Sequence, residues 1–271
     1  MVGSGEPAES HSPHEWDAFQ RWTGNDLVRE VYYFRSGDDR LYASAYASPR
    51  PRLSTGLVMC PSWGSEMAHL QDLCHDVARG LASAGGAGLV YHPPAHGDST
   101  GDPAGLTLER LAQAAKDAAR DAGGRLPQHR WQLCGIRLGA SVAMVAAEEL
   151  SCELVVLIEP ALDPAAYFEE VRRAGRRGAL GHGTEEAVFG FPLPASTVAS
   201  ASEVDVGGAV RRFPGRVLVV RAARRDPPSM PASAETITVP RAWRPRPSAR
   251  QRAPFVEAVI SALAGPVEAA R

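Results

Sequence analysis

The chain has 271 residues, enough to bury a full core, and one large α/β domain is expected over two small ones. With 44% hydrophobic and 22% charged residues its composition is globular, and a formal net charge of −2 removes the electrostatic basis for nucleic acid or an anionic membrane as partner. No apolar run approaches the ~20 residues of a membrane span, and the polar start MVGSGEPAESHSPHEW lacks the pattern of a secretory signal. Basic residues are nearly all arginine, Lys116 being the single lysine, which reads as GC-rich bacterial coding bias rather than function. Cys60, Cys74, Cys134 and Cys152 form no C-x-x-C pair and fall in or beside apolar stretches, as reduced buried thiols of a cytoplasmic protein would.

In chain order, residues 1–25 are polar and read as a flexible tail. REVYYFR, the turn Gly37-Asp38-Asp39 and LYASAYA read as a β-hairpin. Short apolar runs then alternate with helical stretches. TGLVMC (55–60) precedes a helix over about 66–83, and AGLVY (87–91) precedes one over about 105–122. RWQLC (130–134) leads into a helix over about 137–150, and ELVVLIE (153–159) follows. Such runs, bounded by Gly and Pro, fit strands buried on both faces of a parallel sheet. Residues 161–215 interrupt the alternation with a helical start and a Gly/Pro/Ser-rich remainder, a candidate lid. GRVLVVRA (215–222) and ETITVP (235–240) resume the strands, and APFVEAVISALAG closes the chain as an amphipathic helix. The layout is that of an α/β-hydrolase: a mostly parallel central sheet with helices on both faces. Its core covers 26–160 and 216–265, with a lid or cap insertion at 161–215.

The stretch Gly135-Ile136-Arg137-Leu138-Gly139 has the spacing of G-x-S-x-G, the elbow that displays a nucleophilic serine, but Arg137 occupies the centre. A guanidinium stays protonated and has no lone pair to offer, so nucleophilic or general-base chemistry is excluded there. Arg137 can still bind a carboxylate or phosphate, stabilise a developing oxyanion or enolate, or pair with a neighbouring carboxylate and plug a dead site. The N–H of Leu138 and one from Ser62 or Trp63 are the expected oxyanion donors. Ser65 as N-cap with Glu66 in the first turn is the local reading of the same loop. In YHPPAHGDSTGD, the His92–His96 spacing would suit metal ligands on a helix, but Pro93 and Pro94 forbid the helix, so no metal site is expected. His92 is a candidate acid/base, and His96 a wall of the site. Asp226 stands where the triad acid follows a strand, yet no histidine occurs beyond His182, so the triad is degenerate.

These residues resemble the α/β-hydrolase superfamily and, more narrowly, the hydrolase-like proteins of exosortase systems, over roughly residues 28–264. Gly135-Ile136-Arg137-Leu138-Gly139-Ala140 matches their G-[LI]-R-L-G-A elbow, Pro61 to Glu66-Met67 partly matches P-P-F-x-E-E-M, and Gly97 to Asp102 matches G-D-S-x-G-D. Trp243 matches a tryptophan that stands where the triad histidine would be. Ser65, Ala68 and Ile158 depart from the pattern. Glu159 is a new acid beside the presumed site, a candidate counter-ion for Arg137 or a general base. The resemblance implies a fold and an elbow, but no reaction.

The expected function is therefore a non-serine catalyst of lyase, cyclase or acyl-transfer type, acting on an acyl, ester or carboxylate-bearing small molecule in bacterial specialised metabolism. Arg137 and the oxyanion N–H groups would carry the developing charge, and His92 or Glu159 the proton. The alternatives are a catalytically inactive binding or scaffold protein, and an atypical esterase or thioesterase using Cys60. No motif calls for a cofactor.

Overall fold

Alternating apolar runs and amphipathic stretches build one sheet covered on both faces. The computed structural model describes residues 18–24, 27–178, 187–188, 190–223, 230–240 and 246–264, so Asp226 and Trp243 lie outside the described residues. Strands β1 (Ala18–Thr23), β2 (Val28–Ser36) and β3 (Asp39–Ala47) form an antiparallel meander, with Gly37 at φ 61° closing the β2–β3 turn. β1 occupies the end of the stretch expected as a tail, because its residues pair along β2 from Tyr32 to Val28. There follow β4 (Thr55–Cys60), α1 (Gly64–Ser83), β5 (Ala87–Tyr91), α2 (Leu108–Arg125), β6 (Arg130–Ile136), α3 (Leu138–Ala147) and β7 (Leu154–Ile158). The interrupting segment contributes α4 (Pro164–Gly178), a short ribbon of β8 (Ala187–Val188) and β9 (Phe191–Pro192), α5 (Ala195–Ser202) and α6 (Val206–Arg212). β10 (Arg216–Ala222), β11 (Ala234–Val239) and α7 (Ala249–Ala264) complete the chain.

The nine-stranded sheet has the order β1-β2-β3-β5-β4-β6-β7-β10-β11, antiparallel as far as β5 and parallel from there on. β5 and β7 are buried along their whole length and read AGLVY and LVVLI, the near-continuous apolar composition that two covered faces demand. α1 carries Met67, Leu70, Leu73, Cys74, Val77, Ala78 and Leu81 at three- and four-residue spacing, and packs with α7 on one face. α2 and α3 cover the other face with short residues, mainly alanines, which lets them lie close to each other and to Val58, Leu89, Leu133 and Val155. The C-terminal ends of β4, β5, β6 and β7 converge below α4, and the elbow stands at that edge.

Candidate functional site at the strand-to-helix elbow

Arg137 joins β6 to α3 with φ 55° and ψ −118°, a left-handed conformation that costs a non-glycine residue of order 1–3 kcal/mol. Its backbone is held on both sides: its N–H donates to the Ile158 carbonyl at 3.1 Å, and its carbonyl accepts from Ala161 at 3.1 Å. The flanking glycines are sterically required. A Cβ on Gly135 would collide with the Gly139 carbonyl and Ala140, and one on Gly139 with the carbonyls of Cys60 and Pro61. The strand, helix and β4–α1 loop therefore cross at backbone distance, the geometry expected of the G-x-x-x-G spacing.

The side chain of Arg137 is committed to a carboxylate from α1. Its Nε donates to Glu66 Oε1 at 3.0 Å. The other oxygen, Glu66 Oε2, accepts from the Ser62 hydroxyl at 2.5 Å and the Tyr167 hydroxyl at 2.9 Å, and those hydroxyls are 3.3 Å apart. The guanidinium also lies 5.6 Å from the centre of the Tyr167 ring, and its Nη2 is 3.5 Å from the exposed carboxylate of Glu170. Burial works against the Arg137 charge, but the Glu66 carboxylate outweighs it and holds the pKa above the ordinary arginine value. Burial, reinforced by Glu66, pushes the Tyr167 phenol well up, so it remains a donor. Glu66 is the residue that sequence reasoning undervalued. It sits in the first turn of α1, four residues after Ser62 of the preceding loop. Tyr167 and Glu170 lie about thirty residues beyond the elbow and no pattern in the sequence connects them to it.

The space beside the elbow is small. A cavity of about 10 Å³ lies among Ser62, Trp63, Tyr91, His96, Leu138 and Val142, room for the centre of one water. Leu138 opens α3, where the first N–H groups lack intrahelical acceptors, Ser62 and Trp63 stand on the facing loop, and all three line this cavity. Trp63, only 3% exposed, fills the region above them, packed edge-on to Phe168 of α4 at 5.5 Å and to Phe191 of β9 at 6.5 Å. His96 is stacked on Phe191 at 5.9 Å. Its Nε2 accepts from the Gly64 N–H at 2.9 Å, which fixes the proton on Nδ1 facing the Pro94 carbonyl, and burial lowers its pKa. That contact also corrects the reading of α1. The helix begins at Gly64 after an extended Trp63, and the His96 ring, not Ser65, takes the first free N–H.

Est1E of Butyrivibrio proteoclasticus with ferulic acid bound superposes with a TM-score of 0.59 at 19% identity, over 84% of this chain and 96% of that one. DcsB in complex with its substrate analogue gives 0.63 at 16%, over 87% and 99%. XC6422 of Xanthomonas campestris, described as an α/β serine hydrolase without a lid, gives 0.55 at 15%, over 85% and 91%. The fold is the α/β-hydrolase fold. No protein-family profile matches the chain, and no curated protein sequence matches it.

Within that fold, the remaining expected residues are placed as follows. His92 follows Tyr91 at the end of β5 and, by strand alternation, turns away from the elbow cavity that Tyr91 lines. It stacks on Tyr42 at 4.6 Å, its Nδ1 accepts from the Asp98 N–H at 3.0 Å, and burial lowers its pKa. These contacts tie its ring to the 92–98 loop and to β3. Glu159, expected as the counter-ion of Arg137, is buried at φ 47° with its carboxylate accepting from the Ala222 N–H, and the carboxylates at Arg137 are those of Glu66 and Glu170. The chain direction after β7 turns Glu159 towards β10, where its own N–H meets the Val220 carbonyl. Ser141 donates to the Ala161 carbonyl at 2.6 Å inside the core. All four cysteines are buried and unpaired, and burial pushes the Cys60 thiol up to about 12. Among the described residues no helix is long and apolar enough to cross a membrane.

Proposed function

We propose that this protein is a catalytically inactive member of the hydrolase fold, a binding or scaffold protein in which the elbow arginine anchors a structural ion pair. One observation carries the reading: Glu66 takes the Arg137 guanidinium on one oxygen and the Ser62 and Tyr167 hydroxyls on the other. The charge and the proton donors of the elbow thus satisfy one another, under a roof of Trp63, Phe168 and Phe191. We assign residues 161–215 the role of a cap, because Tyr167, Phe168 and Phe191 all come from it. We also place the chain with the exosortase-associated hydrolase-like proteins, on the strength of its arginine elbow and of Glu66-Met67. The buried, reduced thiols favour the cytoplasm.

A second reading keeps the expected non-serine catalyst acting on an anionic or acyl-bearing small molecule. It is favoured by the outer edge of Arg137, whose Nη2 meets Glu170 at 3.5 Å, longer than a hydrogen bond, so a substrate carboxylate could replace Glu170 there. An esterase or thioesterase route through Cys60 is opposed by its burial and its high pKa. The experiment that decides is turnover of nitrophenyl esters, acyl thioesters and β-hydroxy acyl compounds by the native protein and by Arg137→Gln. The proposal expects no product above background from either; product formed by the native protein and lost in Arg137→Gln establishes the second reading instead.

A further inference from the structure

Among the described residues, a ligand-sized space lies at the end of the sheet opposite to the elbow. A cavity of about 230 Å³ opens between the last turn of α2 and the lower half of the sheet. Its floor is Ala45 of β3, Leu89 of β5 and Ala122 of α2, and the two alanine methyls leave room that a larger side chain would fill. Trp131 at the start of β6 forms one wall. A Cβ on Gly56 would stand 2.7 Å from its indole ring, so the ring lies flat on the β4 backbone instead of filling the space. Tyr32 is fixed beneath the opposite side: its hydroxyl donates to Asp121 at 2.8 Å, and the Arg125 guanidinium covers its ring at 3.6 Å. At the rim, Arg21 and Glu30 pair at 3.3 Å and present a donor and an acceptor side by side.

We propose that this cavity binds a flat aromatic molecule of one or two rings, its ring along Trp131 and its polar end between Arg21 and Glu30. An apolar cavity of about 150 Å³ holds benzene; the larger space here takes a ring with a substituent or a second ring. Planar walls favour a planar guest through offset or edge-on ring contacts. The walls are held by hydrogen bonds and packing that need no ligand, so little ordering opposes binding. None of the residues around this cavity belongs to the Arg137–Glu66 network, so the inference is independent of the function proposed for the elbow.

The test is titration of the full chain with indole, para-cresol and benzoate, followed by calorimetry and by the indole N–H resonances in NMR spectra. Saturable binding of at least one probe is expected, with the Trp131 resonance shifted. Ala122→Phe, which fills the cavity from α2, should weaken that binding at least tenfold, whereas Arg137→Gln should leave it unchanged. Ala45→Leu fills the same space from the sheet and serves if Ala122→Phe does not fold. Absence of saturable binding to the full chain, equal binding by a folded filled variant, or loss of binding in an Arg137→Gln protein shown to be folded would each overturn the proposal.

Discussion

If the elbow is a structural lock, removing the charge of Glu66 should damage the protein almost as much as a core deletion. Glu66→Gln keeps the volume but leaves the Arg137 cation without the carboxylate that its Nε addresses. Breaking a fully buried pair costs ~3–5 kcal/mol, and an exposed one ~0–1 kcal/mol. With side chains 15% and 21% exposed, the Arg137–Glu66 pair lies nearer the buried case, and about 2–3 kcal/mol is expected. For a domain of this size that corresponds to a Tm lower by roughly 5–10 °C. Arg137→Met alone strands Glu66 and should cost a similar amount. The double variant Glu66→Gln/Arg137→Met removes both charges, and a coupling of about 2 kcal/mol should bring it back towards native stability. Urea unfolding of the four proteins gives the cycle. Additive losses, or a Glu66→Gln protein within 1 °C of native, would refute the lock and return Arg137 to a role in binding or chemistry.

Two further outcomes follow from the geometry. Gly139→Ala should yield little soluble protein, or lose about 4 kcal/mol or more, because its Cβ would strike the Cys60 and Pro61 carbonyls; Gly105→Ala, with open space around it, should change stability by less than ~0.5 kcal/mol. Equal soluble yields and melting temperatures would mean that the crossing of β6, α3 and the β4–α1 loop is not so close. His75 Nδ1 shares a hydrogen bond of 2.9 Å with the Tyr46 hydroxyl, and burial, then the Arg29 cation, lowers its pKa to about 4. The unfolded chain protonates this ring near its ordinary 6.5, above the folded value, so stability present above that pH is lost as pH falls from 6.5 towards 4. With its partial exposure discounted, the loss by pH 5 is about 1 kcal/mol, and His75→Gln should flatten that part of the urea-midpoint profile; parallel profiles for the two proteins would refute it.

The local chemistry of the chain determined most of the scaffold. Apolar runs such as AGLVY and LVVLI, bounded by Gly and Pro, dictate strands buried on both faces, and α1 declares its buried stripe by spacing alone. The elbow was equally legible, since Gly135 and Gly139 are demanded by a backbone crossing and Arg137 excludes a nucleophile by its chemistry. Helix ends were less so: α1 starts two residues early because a distant ring, His96, caps it. Contacts between segments far apart in the chain were decided only by the tertiary structure. Whether Arg137 meets Glu66 or Glu159 depends on how α1 and the turn after β7 present their side chains at one sheet edge, and the sequence pointed to Glu159, the acid nearer in the chain pattern of the site. Tyr167, Phe168 and Phe191 seal the elbow through packing that leaves no periodic trace. The cavity beside Trp131 likewise exists because β3 and α2 carry alanines, Ala45 and Ala122, where they face each other across Leu89 of β5, a coincidence of positions along three separate elements. Periodicity and turn chemistry act over a few residues, and those are written in the order of the chain; a site is made of side chains that only folding brings together.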